Sequence, residues 1–149
     1  DWRGLEPLTL QRLALCPYLL MDAGFGAPEL WERLPASTVR DAPAYGGYFA
    51  GPDGVALVRR TLLLAWHLAR SNRLGARVLL GMDARSAEHI AGIRLQDLDA
   101  LAERGASWIA PRWQQQPLVW RQMFRAARRG ATAQLRVVQL RGLQLIAAS

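Results

Sequence analysis

Between residues 55 and 80 apolar side chains recur at threes and fours: Val55, Val58, Leu62, Leu63, Trp66, Ala69 and Leu74. That spacing gathers them on one face of a helix. It predicts one long helix over 54–81, or two helices with a break at Ser71–Gly75. A helix of ~20 residues carries more apolar face than a small partner covers, so a second subunit is expected to cover the rest. Leu62, Leu63 and Trp66 are the expected dimer contacts.

Asp83 stands where an N-cap belongs, its carboxylate ready for the free N–H groups of the next turn. A helix over 84–91 follows, with Ala87, Ile90 and Ala91 inward and Gly92 as its C-cap. A second helix over 95–104 puts Leu95, Leu98, Leu101 and Ala102 on one face and stops at Gly105. Residues 79–103 therefore have the outline of a helix-turn-helix. Upstream, 5–21 is apolar enough for a buried helix broken at Pro17, and 28–34 reads as a short helix opened by Pro28. Residues 35–54 read as a loop whose Tyr45, Tyr48 and Phe49 fold back on the body. "GPDG" at 51–54 is a turn signature. Downstream come an extended connector over 106–116 broken at Pro111, a helix over 117–129, Gly130, and a last helix over about 132–147. No strand alternation runs beyond four residues. The expectation is an all-α helical bundle with a long central helix and a helix-turn-helix-like hairpin, dimeric with a second copy. Residues 54–149 form the body, and 1–53 an N-terminal helical and loop extension packed on it.

Charge decides which helix meets a polyanion. The recognition helix of a helix-turn-helix lies in the major groove with its outer side chains on bases and phosphates. Here that helix exposes Asp97, Asp99 and Glu103, which repel phosphate, so the hairpin is expected to pack on the long helix. The chain carries +7 overall, and all 19 basic residues are Arg. Residues 1–104 hold as many acids as arginines, while 105–149 hold seven arginines and no acid. A GC-rich genome accounts for missing Lys but not for missing acids. A one-signed segment points to an acidic partner, either nucleic acid or an acidic protein surface. Arg121, Arg125 and Arg128 fall at i, i+4, i+7 as one stripe, beside a face of Trp120, Met123, Phe124 and Ala127. Arg112, Arg129, Arg136 and Arg141 add to the region. Guanidinium forks match phosphate or carboxylate geometry.

At this point the sequence resembles a family. Residues 62–105, "LLLAWHLARSNRLGARVLLGMDARSAEHIAGIRLQDLDALAERG", are similar to the body of FlhD, a flagellar transcriptional activator subunit. The shared features are Leu62–Ala65 and Leu68 of the long helix, Leu80–Gly81 before a capped helix, and then Leu95, Leu98 and Leu101–Glu103. A weaker likeness runs through Arg112 to the final helix, and none covers residues 1–50. The resemblance implies an all-α dimer joined through the long helix, with DNA binding that needs a second, zinc-containing partner subunit. Arg94 stands where the family has a capping Thr. The family's dimer-bridging Cys aligns near Ile109, so that disulfide has no counterpart here.

Other chemistry is sparse. His67 and His89 lack neighbours at ligand spacing, and a metal site needs three or four ligands. Cys16, beside Pro17, has no basic activator. Asp97 and Asp99 face different ways on a helix. Trp108 and Trp113 flank Pro111 and are expected to clamp the connector to the core. "LALC" at 13–16 is a poor lipoprotein site, with a large Leu15 and no apolar run before it. No apolar run approaches a membrane span. A single Cys suits a reducing cytoplasm. The expectation is a cytoplasmic, non-enzymatic, cofactor-free regulatory subunit of FlhD type. It works through protein contacts, with a homodimer, a heteromeric regulatory partner and DNA as its partners. The alternative is a helical interaction or adaptor module with no nucleic-acid role.

Overall fold

A computed structural model describes residues 4–33, 52–105 and 109–148. The expected fold-back of Tyr45, Tyr48 and Phe49 and the clamp by Trp108 lie outside the described residues. The fold is all-α, with eight α-helices among the described residues and a two-residue ladder.

Helix α1 (Pro7–Ala14) opens with Pro in its first turn and stops at Leu15. It is shorter than the 5–21 pattern suggested. The residue before a proline is pushed out of the α region, so Cys16–Pro17 ends the helix early. The freed strand β1 (Met21–Asp22) pairs antiparallel with β2 (Ala110–Pro111), Met21 opposite Pro111. The Asp22 carboxylate accepts from the N–H groups of Gly24 (3.1 Å) and Phe25 (3.3 Å), turning the chain into α2 (Pro28–Arg33). Trp31 on α2 is buried, stacks on Phe25, and donates its indole N–H to the Gly24 carbonyl at 2.9 Å.

Helix α3 (Pro52–Ser71) begins at Pro52, so Pro52–Gly54 are its first turn and not a loop. It ends where the sequence placed a break: Asn72 caps α4 (Arg73–Leu80) by accepting from the Gly75 N–H at 2.8 Å. Gly81 takes a left-handed conformation and Asp83 caps α5 (Ala84–Gly92). Gly92 is the last helical residue, with Ile93 as the cap, so it does not supply the left-handed stop expected of it. Residues Leu95–Asp97 form a 3₁₀ turn before α6 (Leu98–Gly105). The tighter winding turns Leu95 outward, 57% exposed, against the inward position expected for it. Helices α7 (Pro117–Arg129) and α8 (Thr132–Ala147) match their expected spans, with left-handed Gly130 between them.

Two apolar clusters result. The first packs α5 and α6 onto α3, through Val58, Leu62, Ala65, Ile90, Leu98 and Leu101, with Phe25, Trp31 and Ile109 joining. The second packs α1 and α8 onto α7, through Leu13, Val119, Met123, Ala127 and Leu135. Residues before 54 thus contribute to both: α1 to the second cluster and α2 to the first.

Arg112 sits where the clusters meet and is only 7% exposed. Its guanidinium donates to the carbonyls of Leu19 (3.0 Å), Met21 (3.3 Å) and Leu80 (2.8 Å). Its own N–H reaches the Leu20 carbonyl, and its carbonyl accepts the Trp120 indole N–H at 2.6 Å. Leu80 ends α4, so the cation also occupies the negative end of that helix. This corrects the assignment of Arg112 to an anion-binding surface. Burial disfavours its charge, Asp22 at longer range favours it, and the guanidinium is spent on the protein's own carbonyls.

Gly142 lies within α8 and is buried. A glycine there weakens a helix, but a Cβ would stand 2.6 Å from Tyr18 Cζ and 2.7 Å from Trp113 Cη2. Its missing side chain lets α8 lie against the aromatic pair. Trp113 holds a left-handed backbone, φ 55°, between Tyr18 and Trp120. It follows Arg112 and turns the chain so that α7 returns beneath it.

Arg112→Met should strand three carbonyls, each costing about 1–3 kcal/mol, and so lower urea-unfolding stability by at least about 3 kcal/mol. Arg112→Lys should recover little, because an ammonium lacks the planar fork. Gly142→Ala should cost about 1–3 kcal/mol by overpacking, read as a fall in Tm with helical circular dichroism unchanged below the transition.

Candidate nucleic-acid interface

Helix α7 shows why its arginines face outward. Pro117 starts it where a missing N–H is harmless, and Gly130 closes it. Between them Val119, Trp120, Met123, Ala126 and Ala127 are buried, with Phe124 half-buried against Trp120 at 5.5 Å. At 100° per residue those positions leave Arg121, Arg125, Arg128 and Arg129 on the opposite side, and all four are exposed. On α8, Leu135, Val138, Gly142 and Ile146 turn inward, and Arg136 and Arg141 are exposed. Helices α7 and α8 pack on each other, so the six arginines are carried by two adjacent helices.

None of these six arginines forms an ion pair among the described residues. Four arginines elsewhere do: Arg59 with Asp99 at 2.8 Å, Arg94 with Asp97 at 2.7 Å, Arg73 with Glu88 at 3.8 Å, and Arg85 with Glu32, while exposed Arg33, Arg60, Arg70 and Arg77 form none among the described residues. Asp99 of α6 and Asp97 of the turn before it are each offset by an arginine. The hairpin of α5 and α6 buries Ala87, Ile90, Leu98, Leu101 and Ala102 against α3.

Arg12 on α1 carries no such signal in sequence, yet it donates to the Ala127 carbonyl at 2.8 Å and packs over Gly130. It is a cation at the C-terminal end of α7, which steadies the helix that carries the arginines. Its separation of 115 residues from Ala127 hides it from any local reading.

The expected dimer contacts divide. Leu62 is 1% exposed inside its own chain's core, which rules it out as a contact and corrects that expectation. Leu63 is 39% exposed beside Leu64. Trp66 is half-buried, donates to the Ile93 carbonyl at 2.8 Å, and carries Arg70 over its ring at 4.7 Å. Period alone did not separate Leu62 from Leu63, because the apolar stripe of α3 is wider than the face its own partners cover.

The described residues contain no group of three or more His, Cys, Asp or Glu placed to hold a metal ion. His67 is exposed on α3, and His89 lies 3.7 Å from the Glu32 carboxylate already paired with Arg85. Burial raises the Cys16 thiol above its ordinary 9.0, a poor setting for a nucleophile. Tyr18 is pushed up as well, chiefly by burial. No helix among the described residues is long and apolar enough to cross a membrane. Compared with protein families, with characterised proteins and with solved structures, the chain shows no significant match.

Arg121 and Arg125, and Arg125 and Arg129, are like charges at i, i+4, each pair costing a few tenths of a kcal/mol. Arg125→Gln should therefore raise Tm at low salt, and the gain should vanish in molar salt, where the screening length falls to about 3 Å. Cys16 and Tyr18 both ionise less readily when folded than when unfolded. Their contribution is whole below the ordinary values of 9.0 and 10.0 and is lost in stronger alkali. Unfolding stability should fall above pH 9, and Tyr18→Phe should flatten the part of the fall above pH 10.

Proposed function

We propose that the protein is a helical transcriptional regulatory subunit of FlhD-like type, acting through protein contacts and laying the outer face of α7 on DNA phosphates. The observation that carries the reading is the set Arg121, Arg125, Arg128 and Arg129: exposed, on one face, and without an ion pair among the described residues. A cluster that costs stability and neutralises nothing within the fold is suited to an external anion. The likeness at 62–105 supports the regulatory role. The acidic α6 supports a division in which the hairpin is scaffold and α7 meets the backbone. Such contact is independent of base sequence, so specificity comes from a heteromeric partner or from a second copy.

The second reading is an adaptor module without nucleic acid. The exposed Val137 and Leu140 on α8 favour it, because phosphate rewards neither.

Purified protein titrated with a generic duplex across a salt series, with mass measured in the same buffer, separates the two. Contact with three or four phosphates should give a log–log slope of about −3 to −4. Arg121→Glu/Arg125→Glu/Arg128→Glu should abolish binding while leaving the helical signal intact. Absence of binding at low salt from folded protein, or binding unchanged in the triple variant, would refute the phosphate contact and leave the adaptor reading.

A further inference from the structure

Helix α8 is apolar on two sides. Leu135, Val138, Gly142 and Ile146 pack inward, while Val137 and Leu140 stand 67% and 60% exposed on the outer side. They are neighbours at i, i+3. Ala133 lies one turn before Val137, and Gln144 one turn after Leu140, so 133, 137, 140 and 144 form a narrow outer stripe. Arg136 borders it one turn before Leu140, and Arg141 borders it one turn after Val137. The outer face of α7 is different: beyond Leu118 in its first turn it exposes no large apolar side chain.

We propose that the outer face of α8 docks an acidic amphipathic helix of a partner protein. The stripe has helical pitch, which a second helix matches by laying its own apolar ridge along it. Exposed Arg on both borders, with no acid anywhere after Glu103, makes Asp or Glu the complementary flank. A second copy is disfavoured: a two-fold contact sets α8 on α8 and brings Arg136 and Arg141 against arginines. Nucleic acid is disfavoured because Val137 and Leu140 would be left facing phosphate. The docking face is separate from the arginines of α7 and holds whether or not they meet DNA.

The probe is a labelled synthetic helix with leucines on one face and glutamates bordering them. Its controls are a scrambled peptide of the same composition and a lysine-for-glutamate version. Full-length protein should bind the acidic helix in an anisotropy titration, with amide shifts centred on 133–144. Val137→Ser/Leu140→Ser should weaken binding by about tenfold or more while leaving Tm and duplex binding unchanged. Arg136→Glu/Arg141→Glu should lose the acidic helix and gain the lysine version. The proposal is overturned by equal binding of the scrambled peptide, by shifts centred on α7, or by no binding at all. It is also overturned if the free protein is an oligomer that Val137→Ser/Leu140→Ser dissociates, since a second copy then covers the stripe.

Discussion

One buried cation holds the architecture together. The guanidinium of Arg112 gathers carbonyls from residues 19 and 21 and from the end of α4, while its own carbonyl receives Trp120 of α7. These contacts come from three separate parts of the chain: 19–21, the end of α4, and α7. A buried charge is tolerable when its donors are satisfied, and a planar fork with several N–H groups suits three carbonyls in one place. The two-residue ladder, the left-handed Trp113 and the close approach of Gly142 all lie around it. The second cluster is thereby fixed against the first, and α7 and α8 take a set orientation on the body.

That orientation gives the late arginines their meaning. With the inner face of α7 closed on α1 and α8, its four outer arginines have only solvent or a partner to meet. Elsewhere on the described surface Arg59, Arg73, Arg85 and Arg94 are paired with carboxylates. The fold therefore carries most of its excess positive charge on α7 and α8, since residues 1–104 hold as many acids as arginines. On its outer face α7 is nearly pure charge, and α8 mixes charge with exposed Val137 and Leu140. Two helices with different surface chemistry suit two partners better than one.

The helices were legible because their signals are local. Asn72, Asp83, Pro117 and Gly130 act within a few residues of themselves, and the period of α7 is set by its own side chains. The basic stripe of Arg121, Arg125 and Arg128 was legible for the same reason, since i, i+4, i+7 spacing settles what shares a face. Arg112 was not. In the chain it is one more arginine of an acid-free segment, and nothing nearby distinguishes it from Arg129. Its burial depends on Leu19 and Met21, more than ninety residues away. Leu62 and Leu95 failed for related reasons, one from the width of an apolar stripe and one from a 3₁₀ turn.

The sequence by itself determined an all-α chain, the break after Ser71, the caps at Asp83 and Gly130, and a C-terminal segment of one charge. These follow from periodicity, backbone stereochemistry and composition, which need no knowledge of neighbours in space. Only the tertiary structure decided that Arg112 is a core residue while Arg121, Arg125, Arg128, Arg129, Arg136 and Arg141 are exposed. Only it decided that Arg12 caps α7, and that the outer stripe of α8 is left uncovered. Those outcomes depend on which faces meet, and that is set by contacts between residues far apart in the chain.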